Sequence, residues 1–145
     1  MKFKVEAVNI ANAKGVAKHE TPEVELRENF GILGDAHAGS WHRQVSLLAG
    51  EAIDAMKAKG LDLAPGAFGE NIVTRGVDWS RAKVGEIIAI GPVRLQITQI
   101  GKECHSHCAI YYTAGECIMP SQGIFAKVLK GGKIHAQSSG HYRVR

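Results

Sequence analysis

Apolar and polar positions alternate at the start of the chain, where Phe3, Val5 and Ala7 are interleaved with Lys4 and Glu6 in the pattern of a half-buried strand. The apolar phase then slips to Val8 and Ile10, as a β-bulge makes it do. Val24 and Leu26 alternate with Glu23, Glu25 and Arg27 in a second strand. Further on, Ile87, Ile88 and Ile90 run into Gly91-Pro92, after which Val93, Leu95 and Ile97 alternate with Arg94, Gln96 and Thr98. That pattern predicts a hairpin turning at Gly91-Pro92. Residues 71–74 and 133–136 are shorter runs that also read as strands. Two helices are predicted among them. Ala49, Ala52, Ile53 and Met56 share one helical face, and Lys57, Lys59 and Gly60 supply a cationic, glycine-capped end. Ser121 caps a second helix with an apolar stripe of Ile124, Phe125 and Val128, stopped by Gly131-Gly132. The pattern as a whole predicts a mainly β, α+β architecture, a β-barrel or sandwich with two or three short helices.

A length of 145 residues suits one domain spanning positions 1–145, and neither an internal repeat nor a linker-like shift in composition divides it. The 17 glycines are well above the usual level of about 7% and fit a fold rich in turns and bulges. No apolar run approaches the roughly 18 residues of a membrane helix. The alternation of charge from Met1 to Glu6 is unlike a signal peptide, so a cytoplasmic protein with no membrane partner is expected. Three cysteines, an odd number, fit reduced thiols in that compartment. The net charge of +4 is uneven. Residues 1–72 carry 8 basic and 10 acidic side chains, a balance of −2, whereas residues 73–145 carry 10 and 4, a balance of +6. With aromatics at only 6% and no basic run interleaved with them, nucleic acid is not expected as a partner. A small phosphorylated ligand suits the basic half.

Three segments carry candidate chemistry. In Gly34-Asp35-Ala36-His37-Ala38-Gly39, followed by Trp41-His42-Arg43-Gln44, glycines frame an acid and an imidazole. Such a loop lets backbone approach a ligand while Asp35 and His37 hydrogen-bond it or move protons. It equally describes a tight turn in which Asp35 caps its own backbone. In Phe68-Gly69-Glu70-Asn71 a carboxylate and an amide could orient a ligand, hold the first loop, or mark an ordinary strand entry. The third segment is Lys102-Glu103-Cys104-His105-Ser106-His107-Cys108, with Cys117 beyond it. A thiol beside an imidazole and a lysine favours the thiolate, which can attack, carry a persulfide sulfur or bind a soft metal. Cys104, with Lys102 and His105 as neighbours, is the candidate reactive thiol, and Cys108 and Cys117 read as packed hydrophobes. In an extended stretch the cysteines and histidines face opposite ways, and no second ligand pair follows, so structural zinc is not expected.

These segments, with Arg43-Gln44-Val45-Ser46-Leu47, Gly66-Ala67-Phe68-Gly69-Glu70-Asn71 and Val84-Gly85-Glu86, resemble the MOSC domain, named for the carboxy-terminal part of molybdenum cofactor sulfurases. The stretch from Gly123 to Gly132 is similar to the family's last helix and its glycine stop. The resemblance runs from about Lys2 to Ile134 and implies a MOSC-type β-barrel. It also implies a role around the molybdenum cofactor (molybdopterin), a phosphorylated pterin, with molybdenum or tungsten enzymes or cofactor-synthesis proteins as partners. Some relatives carry sulfur as a cysteine persulfide, and others use the cysteine as a molybdenum ligand and reduce N-hydroxylated compounds. The family cysteine corresponds to Cys104, which makes it the candidate catalytic thiol and molybdenum ligand. His105, His37 and Asp35 are then expected to tune its charge and move protons, and Gly34, Gly39, Arg43, Glu70, Asn71 and Lys102 to bind the cofactor. Relatives often read Pro-Cys-x-Lys where this chain reads Glu103-Cys104-His105-Ser106. Pyridoxal phosphate binding is also associated with the family, but no pyridoxal-phosphate desulfurase domain and no reductase amino-terminal domain accompany these residues. The expectation is a sulfur carrier or cofactor-handling module supplied by partners. The alternatives are a docking module without covalent chemistry, or a molybdenum-dependent reductase.

Overall fold

The computed structural model describes residues 1–101 and 122–142. Its strands are β1 (Lys2–Ile10), β2 (His19–Thr21), β3 (Glu23–Arg27), β4 (Gly31–Ile32), β5 (Val45–Ala49), β6 (Ile72–Arg75), β7 (Ile87–Ile90), β8 (Val93–Ile100), β9 (Ile124–Lys130), β10 (Gly132–His135) and β11 (Ser139–Tyr142). Among the described residues the elements besides strands are an α-helix, α1 (Gly50–Lys57), which follows β5, and a short 3-10 turn over Trp79–Arg81. Seven strands close into a barrel in the order β11-β7-β8-β9-β5-β6-β1, with β1 pairing back onto β11 through Lys2↔His141 and Lys4↔Ser139. Closure removes the sheet edges that would otherwise be exposed to pairing. The second half of β1 takes β2 along the same edge.

The barrel interior holds one apolar core. Val5, Leu47, Ile72, Ile88, Leu95, Ile97 and Ile124 are essentially inaccessible to solvent there. A small sheet, β10-β3-β4, supplies Val24, Leu26, Ile32 and Ile134 to the same core. Outside the wall, α1 lays Ile53 and Met56 on Leu48, Val73 and Phe125, and Phe68 joins this second cluster. The alternation in β1 fails because of the bulge: register against β6 shifts between Val5 and Ala7, so Val5 and Val8 both point inward while Ala7 reaches the outer cluster. The strand runs at 71–74 and 133–136 and the hairpin at Gly91-Pro92 are present as β6, β10 and β7–β8.

The second helix is not. Residues 124–130 form β9, paired antiparallel with both β5 and β8. The stripe of Ile124, Phe125 and Val128 was open to a period of two as well. Ile124, Ala126 and Val128 face the barrel core, and Phe125 faces the outer cluster. A strand buried on both faces loses its alternation, which is why the period misled. Gly131-Gly132 stops a strand rather than a helix, and the family's last helix has no counterpart at these positions.

Candidate functional site

Two of the three chemical segments meet at the outer surface where β1 ends. Asp35 is buried and fully engaged. Its Oδ1 accepts from the Lys18 ammonium at 2.7 Å and from the Ala11 backbone N–H at 3.1 Å, and its Oδ2 accepts from the His37 N–H at 3.1 Å. Lys18 and Asp35 form an ion pair with side chains 1% and 0% exposed. Burying two charges is costly unless geometry and further hydrogen bonds compensate, and here the two N–H groups supply that compensation. The Asp35–His37 contact is the short-range turn that the sequence allowed, so Asp35 positions the loop whatever else it does.

His37 is about a quarter exposed, and its Nδ1 lies 3.0 Å from Lys18 Nζ. An ammonium can only donate, so Nδ1 accepts and the ring proton of neutral His37 sits on Nε2. The Trp41 indole N–H donates to the His37 carbonyl at 2.7 Å, and the two rings stack with centroids 6.3 Å apart. Lys14 Nζ and the Arg43 guanidinium each lie 4.8 Å from the Trp41 ring centroid. Arg43 also reaches the Phe125 ring at 5.7 Å, and its buried Nε has no hydrogen-bond partner. The result is a platform of one indole ringed by Lys14, His37 and Arg43. His42 ties this platform to β8, because its ring is 2.8 Å from Gln99 Oε1 and its carbonyl accepts from Thr98 Oγ1. β8 ends at Ile100, two residues before Lys102.

Glu70 and Asn71 lie next to this platform as buried braces. Glu70 accepts from the backbone N–H groups of Gly66 and Phe68 at 2.9 and 3.1 Å. Burial pushes its carboxyl above the ordinary glutamate range, against those hydrogen bonds and the Lys18 charge. Gly66 has φ +91, and a Cβ there would lie 2.3 Å from the Lys18 carbonyl oxygen, so this turn needs glycine twice over. Asn71 Oδ1 accepts from the Ser46 N–H at 3.0 Å, and its amide donates to the Asn9 carbonyl at 3.1 Å, linking β6 to β5 and β1. Asn9 in turn donates to the Glu70 carbonyl, and its Oδ1 is buried without a partner.

Of the expected site residues, Asp35, His37, Gly34 and Gly39 share one loop and Arg43 stands beside it, whereas Glu70 and Asn71 brace the Gly66 turn and the β5 and β1 backbones. Lys102, Cys104 and His105, with Cys108 and Cys117, lie outside the described residues. Lys14, Lys18 and Asn9 were not expected, and Trp41 and His42 stood in the candidate segment without a role of their own. Lys18 sits in a mixed polar stretch with no motif, and nothing local marks it as the one lysine buried among the described residues.

A seven-strand barrel with this small capping sheet is the architecture of several solved structures. YuaD from Bacillus subtilis superposes with a TM-score of 0.78 at 18% identity, covering 97% of this chain and 94% of that one. YiiM from Geobacillus stearothermophilus gives 0.73 at 17%, covering 97% and 75%. YiiM from Escherichia coli gives 0.68 at 22%, covering 100% and 71%. No curated protein sequence matches the chain. The MOSC domain profile matches residues 34–139, nearly three quarters of the sequence, and the chain belongs to the MOSC domain family. No helix among the described residues is long and apolar enough to cross a membrane.

Proposed function

We propose that this MOSC protein handles the molybdenum cofactor or the sulfur destined for a metal–sulfur centre, with Cys104 as the working thiol and the Trp41 platform as the anion-binding face. The observation that carries the reading is Arg43. Its guanidinium sits between Trp41 and Phe125 with a buried Nε–H that nothing accepts, in a cluster with Lys14 and His37. A guanidinium beside a lysine ammonium attracts an anionic oxygen, which a phosphorylated pterin carries. The donor set therefore fits that cofactor: Arg43 and Lys14 would hold its phosphate, and the Trp41 ring would face its planar pterin. When bound, the cofactor supplies redox chemistry at molybdenum. Asp35, Glu70 and Asn71 work as positioning residues, because their polar atoms are already engaged with backbone or with Lys18.

Cys104 follows Gly101, just after the end of β8, by three residues in sequence. In the carrier reading the Cys104 thiolate attacks the terminal sulfur of a partner's persulfide. A new S–S bond forms as the partner's S–S bond breaks, and the partner leaves as a thiolate. Lys102 and His105, its neighbours in sequence, would favour the thiolate.

Mass and metal analysis of protein purified without reductant tests the reading. One added sulfur on Cys104, or molybdenum with pterin, lost in Cys104→Ser and weakened in Arg43→Gln, is the expected result. Unmodified thiols and no retained pterin after incubation with a persulfide donor and with the cofactor would overturn it.

A further inference from the structure

We infer that the barrel wall remote from the Trp41 platform docks an extended acidic segment of a partner protein along a row of cations. Strand register lines them up. Lys2 on β1 pairs with His141 on β11, His141 with Ala89 on β7, Ala89 with Arg94 on β8, and Arg94 with Lys130 on β9. Their strand neighbours Phe3, Tyr142, Ile88, Leu95 and Val128 fill the core, so the row faces outward. Ala89 is half-buried and the other four are exposed. Lys4, bonded to Ser139, and Lys127, opposite Gln96, flank the row on the same face. The platform lies at the far ends of β1 and β8, where His42 meets Thr98 and Gln99.

Folding gains nothing from this row. Like charges directly opposite across a strand pair are destabilising, yet Arg94 stands opposite Lys130. The small sheet does the reverse, setting Lys133 against Glu25 and His135 against Glu23. Glu6, the one acid on β1, is bound by Arg75 at 2.6 Å, and among the described residues no carboxylate pairs with Lys2, Arg94 or Lys130. Arg94 is held in place by Nη1, which donates to the Gly91 and Val93 carbonyls at 2.8 and 3.0 Å. Arg94 and Lys130 lie at the ends of β8 and β9 away from residues 102–121, and the sequence after Tyr142 adds Arg143 and Arg145 and no acidic side chain. The occupant follows from shape. Strands about 4.8 Å apart give the row a length of roughly 19 Å, and it curves with the barrel wall. A flat bilayer or a stiff duplex touches one end of such a row at a time, and the row has no aromatic ring on which single-stranded nucleic acid would stack. An extended peptide follows the curve. About six residues at roughly 3.3 Å each span the row, with every second side chain facing the cations. Glutamate or aspartate at those positions supplies the complementary charge.

Fluorescence polarisation on the full chain tests the surface, with a labelled peptide of alternating glutamate and serine, its glutamine–serine analogue, phosphatidylserine vesicles and a single-stranded thymidine oligonucleotide as probes. The glutamate peptide should bind, more weakly as salt rises, and the glutamine analogue should not. Arg94→Gln with Lys130→Gln should weaken it about two- to thirty-fold, the product of two exposed ion pairs. Lys2→Gln with Lys130→Gln serves where the first pair fails to fold. Lys57→Gln with Lys59→Gln removes the same charge at the end of α1 and should change the affinity less than either. Equal weakening by the α1 pair, no binding of the glutamate peptide at millimolar protein, or tighter binding of the vesicles or the oligonucleotide would overturn the inference.

Discussion

Lys18→Met isolates the ion pair on which the candidate site is built. The substitution keeps an unbranched apolar stem and removes only the ammonium. Asp35, with its side chain 0% exposed, would then stay buried with the Ala11 and His37 N–H groups alone. Breaking a buried pair by deleting one partner typically costs about 3–5 kcal/mol. The two N–H groups that remain put this case near the lower bound, at about 3 kcal/mol. For a chain of this length, at roughly 3–4 °C per kcal/mol, the melting temperature should fall by about 10 °C. Urea unfolding with the thermal scan measures both quantities. A second reading comes from His37, whose Nδ1 loses its donor, so nitrogen NMR should show a mixture of ring tautomers in place of the Nε2–H form. A loss below about 1 kcal/mol, the range of exposed pairs, with the tautomer unchanged, would refute the reasoning.

Glu70 makes a pH prediction. Its folded carboxyl titrates above the ordinary 4.5, so its contribution to stability is complete below the unfolded value and is lost as pH rises through the folded one. Glu70→Gln does not titrate and should flatten that part of the profile while losing about 1–3 kcal/mol where its amide faces a backbone N–H; profiles that stay parallel as pH rises above the ordinary glutamate value would contradict this. Gly66→Ala should destabilise by more than Gly60→Ala, as measured by urea midpoints. Both have positive φ, but only at Gly66 does the new Cβ meet backbone, and strain alone is worth about 1–3 kcal/mol. Limited alkylation near neutral pH, read by peptide mass spectrometry, should label Cys104 before Cys108 and Cys117, and early labelling of Cys108 or Cys117 would move the working thiol there.

The sequence by itself determined the elements whose two faces see different surroundings. β3 and the β7–β8 hairpin were legible because one side of each strand meets the core and the other meets water, and α1 was legible because its stripe lies on the barrel while Glu51, Asp54 and Lys57 face solvent. The order of short motifs from Gly34 to Cys104 was likewise enough to suggest the family, since local turns demand the same residue types wherever they recur. Tertiary structure decided the rest. β9 became a strand because β5 and β8 flank it and Phe125 meets an outer cluster, and no local period encodes a neighbour on each side. Barrel closure through β1 and β11 joins residues about 140 positions apart. The site depended on the same long-range contacts. Asp35, His37, Arg43, Glu70 and Asn71 could be picked as polar residues framed by glycine, but whether each faces ligand or braces backbone depends on what arrives beside it. Lys18 decides that for Asp35 and His37, and it does so because the fold carries a chain segment without any motif over the Gly66 turn and sets its ammonium against the buried carboxylate and the imidazole.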